Sequence, residues 1–128
     1  MKQFYYAVVV CSGLVSAQAS AECTYPTAPG AFPDGTKATK DELIAARKVF
    51  VQYDGEMTAY IECIVAAYEA DLAAKPDLSS KQKKELEKAI NEKQNSAIAE
   101  VEAVKVRFEK ERKAYVELHP PAPKPAAN

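Results

Sequence analysis

The sequence predicts an all-α fold, an antiparallel two-helix hairpin whose extended N-terminal segment is clipped to the first helix by a disulfide. Two long amphipathic stretches flank a short polar connection, and helices of similar length that are joined this closely favour antiparallel packing. A proline-rich segment precedes the first stretch. A pair of cysteines, Cys23 and Cys63, is placed to join that segment to the first helix.

Residues 1–19 have the pattern of a cleavable signal peptide. Lys2 precedes an apolar run over residues 4–15, and Ala17 and Ala19 frame a small-x-small cleavage site, with a second such site two residues downstream. The apolar run is shorter than the roughly 20 residues that a bilayer-spanning helix needs. We therefore expect a periplasmic or secreted protein.

Lipidation after export is a second route to a membrane, and two cysteines lie near the expected place. Val10 precedes Cys11 and Glu22 precedes Cys23, whereas an acylated cysteine follows a small residue. Beyond residue 21 no stretch is apolar for long enough to cross a bilayer. We therefore expect no membrane insertion after signal cleavage.

The chain from residue 20 onward carries 16 basic and 18 acidic residues, a net charge of −2. This near-neutral balance argues against nucleic-acid binding, which needs a basic surface to neutralise phosphates. The length left after cleavage suits one domain with a modest core.

Removal of the signal peptide discards Cys11, so Cys23 and Cys63 remain as a pair. Such a pair in an exported chain favours one intramolecular disulfide. An intermolecular bond and a reactive redox pair are the alternatives, and the chain has no Cys-x-x-Cys motif to support the second. The segment from Cys23 to Thr39 extends to about 50 Å, and Cys63 lies about 36 Å along the predicted helix. The segment is therefore long enough to double back to it.

Thr39 and Glu42 form a capping box, which predicts the start of the first helix. Apolar residues then recur at the heptad spacing that is typical of a coiled coil. The two seam positions hold Leu43, Phe50, Met57 and Ile64, and Ala46, Tyr53, Tyr60 and Ala67. Gly55 costs about 1 kcal/mol relative to alanine in a helix, yet the seam keeps its phase across it. We therefore expect one helix over about 39–74, which Pro76 ends.

Ser79 and Gln82 form a second capping box, which predicts a helix over about 80–118 that stops before Pro120. Its apolar residues fall on one stripe. They are Leu86, Ile90, Ala97, Ile98, Val101, Val104, Phe108, Tyr115 and Leu118.

The hairpin thus spans residues 39–119, between two proline-rich flanks. Three prolines keep residues 20–38 extended, and the tail over 120–128 is expected to be disordered. Charge also divides the hairpin. Residues 22–74 hold four basic and nine acidic side chains, and residues 75–119 hold eleven and nine. An acidic first helix is complementary to a mildly basic second one, although exposed ion pairs contribute only about 0–1 kcal/mol each.

No arrangement of residues predicts a catalytic site. His119 is the one histidine, and the spacing places no serine and carboxylate beside it. The cysteines are expected to be oxidised, no cluster has metal-ligand spacing, and the four glycines form no phosphate loop. Carboxylate pairs such as Glu100 and Glu102 lie on different helix faces and are expected to be solvated. We therefore expect no enzyme, no cofactor and no metal.

The aromatic stripes are the candidate contact surface. Their residues are Phe50, Tyr53, Tyr60 and Tyr68 on the first helix, and Phe108 and Tyr115 on the second. These side chains are expected to supply the core, but a hairpin seldom covers the whole of both stripes. An uncovered part would bind a partner or a second copy of the chain.

Four short motifs lie between the two cysteines: Cys23-Thr24-Tyr25-Pro26, Pro33-Asp34-Gly35, Ala38-Thr39 with Glu42, and Tyr60-Ile61-Glu62-Cys63. In these motifs the chain resembles a group of small exported proteobacterial proteins of unassigned function. The resemblance covers about a third of the chain. It implies a periplasmic helix clipped by a disulfide and brings no known activity with it.

A second, weaker likeness lies at the start of the second helix. Leu78-Ser79-Ser80-Lys81-Gln82 is similar to the Leu-Thr-x-x-Gln motif of periplasmic helical chaperones of the envelope-stress type, with serine in place of threonine. The second copy of the motif that this family carries is missing. The same residues also make an ordinary helix cap.

These observations lead to three functional hypotheses. The leading one is a non-enzymatic protein of the cell envelope that acts through helix-mediated self-association or through binding of another envelope protein. The alternative is a holdase-type chaperone that presents the aromatic stripe to unfolded clients. The third is a small-ligand protein, which would need a cavity beside Tyr53 and Tyr60.

Overall fold

The computed structural model describes residues 22–121, which form an extended segment followed by two long α-helices. Helix α1 spans Lys40–Ala74 and helix α2 spans Ser80–Leu118. The two helices pack against each other as a hairpin, which confirms the predicted fold class. The predicted signal peptide and residues 122–128 of the predicted tail lie outside the described residues.

Both helices begin at the capping boxes that the sequence predicts. The Thr39 hydroxyl accepts a hydrogen bond from the Glu42 backbone N–H at 3.3 Å, and the Glu42 carboxylate accepts one from the Thr39 backbone N–H at 2.7 Å. These bonds hold the pKa of Glu42 below its usual range. Ser79 and Gln82 repeat the arrangement at 3.3 Å and 3.0 Å. Each box pairs backbone donors that a helix start otherwise leaves to water.

The core lies at the middle of the hairpin, where the two seams meet. Its most deeply buried cluster is Tyr53, Met57, Ala97 and Val104. Met57 and Ala97 are fully buried, and burial of a methionine side chain contributes about 1.5–3 kcal/mol. Helix α1 continues through Gly55 without interruption, because the seam residues on both sides of it are held in this cluster.

The extended segment is joined to α1 by the predicted disulfide between Cys23 and Cys63, whose Cα atoms lie 5.7 Å apart. From there the segment runs along the groove between the helices towards the start of α1. Phe32 contacts Phe108 edge to face, with ring centroids 5.5 Å apart, and Gly35 lies against α2. The segment therefore covers the half of the hairpin that is far from the connection, which we term the upper half. The lower half is the part next to the connection.

A tight turn at Asp34 brings the segment round into α1. The Asp34 carboxylate accepts hydrogen bonds from the backbone N–H and the hydroxyl of Thr36, at 3.0 Å and 2.7 Å. These bonds lower the pKa of Asp34. Gly35 is buried at the turn, and its backbone N–H donates to the Glu111 carboxylate at 2.9 Å. The turn is therefore fixed both to itself and to α2.

Candidate functional site

Two residues of the predicted contact surface are not available to a partner. Tyr53 is 3% exposed and Phe108 is 4% exposed, so these two aromatic side chains belong to the core. The physical reason is the extended segment, whose Phe32 closes over Phe108. Phe50 is half-buried and stacks on Phe108, with ring centroids 5.7 Å apart and nearly parallel planes. These rings form the core of the upper half.

Glu100 on α2 joins all three parts of the molecule. Its carboxylate accepts a hydrogen bond from the Tyr25 hydroxyl of the segment at 2.7 Å and one from the Tyr53 hydroxyl of α1 at 2.9 Å. The bond to Glu100, together with some burial, raises the pKa of Tyr25 to about 12. Burial and the same carboxylate raise the pKa of Tyr53. Both hydroxyls therefore keep their protons into the alkaline range, where an unperturbed tyrosine ionises, and continue to donate to the carboxylate.

The expectation that Glu100 belongs to a solvated surface is therefore wrong. A sequence signal for its position does exist, because Glu100 lies three residues after the buried Ala97 and four before the buried Val104. Residues at these spacings share one helix face. A carboxylate on a buried face needs hydrogen-bond donors, and tyrosine hydroxyls supply them here.

At the far end of the upper half, Tyr115 and His119 make an aromatic pair that ends α2. Their rings stack with centroids 4.2 Å apart, and the backbone N–H of His119 donates to the Tyr115 carbonyl at 2.9 Å. His119 is exposed. The structure thus places this histidine at the helix cap.

The remaining two aromatic residues, Tyr60 and Tyr68, line an open groove of about 400 Å³ in the lower half. We term it the lower groove. Cys23 lies at its upper end, where the extended segment begins to fill the space between the helices. The other lining residues are Ile64, Ala67 and Asp71 of α1, and Leu86, Ala89, Ile90 and Lys93 of α2. The cavity proposed beside Tyr53 and Tyr60 is thus found only at Tyr60, because Tyr53 lies in the core.

The hairpin has a second open surface opposite the segment, which we term the back face. Ile61 and Val101 are partly buried and pack on the core cluster from this side. Val65 and Ile98 lie one helical turn from them along the same faces. Ile98 is 51% exposed, and it lies on the opposite side of α2 from Glu100, which contacts the segment. Within residues 22–121, the segment and the two helices leave this face without a covering element.

No group of three or more histidine, cysteine, aspartate or glutamate side chains within residues 22–121 is placed to hold a metal ion. Neither α1 nor α2 is long and apolar enough to cross a membrane.

Comparison of the chain with protein-family models, with curated proteins and with solved structures finds no match.

Proposed function

We propose that the chain is a non-enzymatic, exported helical protein that acts in the cell envelope through protein contact, and first of all through contact with a second copy of itself. The observation that carries the proposal is the back face. Ile61, Val65, Ile98 and Val101 form an apolar strip there that the rest of the described chain does not cover. Contiguous exposed apolar surface favours association.

A second copy suits this face because of the charge difference between the helices. When two hairpins stack with their back faces together about a two-fold axis parallel to the helices, α1 of each copy lies over α2 of the other. Helix α1 of one chain, with three basic and seven acidic residues, then faces helix α2 of its partner, with ten basic and eight acidic residues. Such complementarity favours this arrangement over stacking of like helices. The result is a four-helix arrangement, a common way to bury hairpin faces.

Export is supported by the signal-peptide pattern of residues 1–19 and by the resemblance to small exported proteins. The disulfide between Cys23 and Cys63 is compatible with an oxidising compartment such as the periplasm.

Sedimentation equilibrium of the oxidised chain from residue 20 onward tests the self-association. We expect the weight-average mass to rise from one chain to two as the concentration increases into the high micromolar range, because the back face is small and its affinity modest. A strictly monomeric protein over the whole range would rule out self-association.

A holdase-type chaperone is the second candidate, and the lower groove favours it. Tyr60 and Tyr68 line that groove, so aromatic surface is accessible without unfolding of the core. The purified protein would then suppress aggregation of a reduced model client at a near-equimolar ratio. Client aggregation that proceeds unchanged would dispose of this candidate.

A further inference from the structure

The lower groove is the continuation of a groove that the protein already fills with its own chain. From Cys23 onward the extended segment occupies the space between α1 and α2 in the upper half, and Cys23 also lines the upper end of the lower groove. The filled half therefore shows what kind of chain this groove accommodates.

In the filled half, an extended proline-rich chain is held by aromatic packing and by a row of polar side chains on α2. The Tyr25 ring contacts Tyr60 edge to face at 4.8 Å, and its hydroxyl donates to Glu100. Seven residues further along α2, the Arg107 guanidinium donates to the backbone carbonyls of Pro29 and Gly30 at 3.2 Å and 3.3 Å. Prolines lack a backbone donor, so carbonyl oxygens are what such a chain offers.

The open half repeats these elements. Lys93 lies seven residues before Glu100 and fourteen before Arg107, in the same row on α2, and it lines the lower groove. It makes no ion pair with any described residue, so its ammonium group is available to a carbonyl oxygen. Tyr60 and Tyr68 supply the rings, as Tyr60 does for Tyr25 above.

We propose that the lower groove binds an extended, proline-containing segment of a separate protein, with an aromatic side chain packed on Tyr68 and a backbone carbonyl accepting from Lys93. Grooves lined by aromatic rings suit such segments, because the polyproline conformation is already extended and loses little entropy on binding. This inference rests on the proposed role in protein contact and names the chemistry of the partner.

The dimensions fit a short motif. The eleven-residue step from Tyr60 to Asp71 covers about 16 Å of helix axis at 1.5 Å per residue. A polyproline-type chain rises about 3.1 Å per residue, so about five residues fill the groove. The partner segment is therefore a motif of about this length and need not be a folded domain.

The chain supplies its own probe. A fluorescein-labelled peptide with the sequence of residues 24–33 carries three prolines and two aromatic residues. In the oxidised protein the tethered copy of these residues occupies the upper half, so the lower groove is the part of the space between the helices that is open to the free peptide. Fluorescence anisotropy should show saturable, one-to-one binding.

Two matched variants test the location. Ala89 lines the groove and is exposed, so Ala89→Trp fills the groove without disturbing the core and should weaken binding about tenfold or more. Ala99 is exposed on the same helix outside the groove, and Ala99→Trp should leave the affinity within about twofold. Lys93→Glu should weaken binding by about threefold to tenfold, because it replaces the donor with an acceptor.

Three results would overturn the inference. The first is the absence of saturable binding up to about 1 mM peptide, which is a weak limit for a specific site. The second is equal binding of the peptide by the wild type and by the Ala89→Trp variant. The third is equal binding of a peptide whose prolines and aromatic residues are replaced by alanine. Tighter binding of a peptide with the sequence of residues 119–128 would assign the groove to this chain's own tail instead of a separate protein. Sedimentation tests self-association through the back face, whereas anisotropy tests peptide binding in the lower groove. Failure of the proposed self-association is therefore distinguishable from failure of the proposed peptide binding.

Discussion

At the scale of single residues, Glu100 contributes most to the way the molecule is joined together. One carboxylate accepts from a tyrosine of the segment and a tyrosine of α1. A hydrogen bond to a charged acceptor contributes about 1.5–3 kcal/mol. Glutamine offers one acceptor oxygen instead of two, so Glu100→Gln should lower the free energy of unfolding by about 1–2 kcal/mol in urea denaturation. An unchanged midpoint would mean that the network contributes nothing to stability.

The two tyrosines should also make the fold sensitive to alkali. The folded protein holds the Tyr25 proton up to about pH 12, whereas an unfolded tyrosine loses it near 10. The stability that this bond contributes is therefore complete below about pH 10 and is lost as the pH rises towards 12. The raised pKa of Tyr53 acts in the same direction.

The measurement is the urea midpoint as a function of pH from about 8 to 12, which covers the titration of Tyr25 in both the unfolded and the folded protein. Tyr53→Phe should show a smaller alkaline fall than the wild type. Tyr68→Phe is the matched control, since Tyr68 does not contact Glu100, and its urea midpoint should fall at alkaline pH as that of the wild type does. If the urea midpoints of all three proteins fall equally, Tyr25 and Tyr53 do not cause the sensitivity to alkali.

Two glycines should respond to alanine in opposite directions. At Gly35 an added Cβ would overlap the Glu111 carbonyl of α2, so Gly35→Ala should destabilise by about 1–3 kcal/mol. At Gly55 a Cβ meets nothing within 4 Å, and the residue lies inside a helix, so Gly55→Ala should stabilise by about 0.5–1 kcal/mol. Thermal melts of the two variants check the pair. A Gly35→Ala variant whose melting temperature is not lowered would show that the close approach between Gly35 and Glu111 is not rigid.

At the scale of elements, the helices are the part that the sequence predicts best. Their starts depend on local capping residues, Thr39 and Ser79, and their ends on local prolines, so no knowledge of the tertiary structure is needed. The disulfide is predicted because the cysteine pair and the reach of the segment suffice. The contacts of the segment with α2 are not predicted, since they depend on where two elements meet that are about 75 residues apart in the chain.

The disulfide should contribute much of the free energy that keeps the extended segment on the hairpin. It closes a loop of 40 residues, and its removal should cost about 3–4 kcal/mol on the chain-entropy model. The Cys23→Ser, Cys63→Ser double variant should therefore unfold at a much lower urea concentration. Without the disulfide, the segment should also detach more often, and the exposed Phe108 should then increase binding of an apolar dye. A loss below about 1 kcal/mol would mean that Tyr25, Phe32 and Gly35 hold the segment alone.

At the scale of the whole molecule, the extended segment covers the upper half of the hairpin on one side only. It buries Tyr53 and Phe108, two of the six aromatic residues of the candidate contact surface. Among residues 22–121, the lower groove and the back face have no covering segment. The sequence predicts that part of the apolar stripes stays open, but the choice of part depends on the path of residues 24–38, which periodicity does not encode.

The proposed self-association through the back face is tested by a pair of charge substitutions on α2. Ile98 lies on the back face and is 51% exposed, whereas Val106 is 66% exposed on the outer side of the same helix. Because both are solvent-accessible, glutamate at either position should leave the fold intact. By sedimentation equilibrium, Ile98→Glu should be monomeric where the wild type and Val106→Glu associate. Association that survives Ile98→Glu, or that is lost equally in both variants, would show that the back face does not mediate self-association.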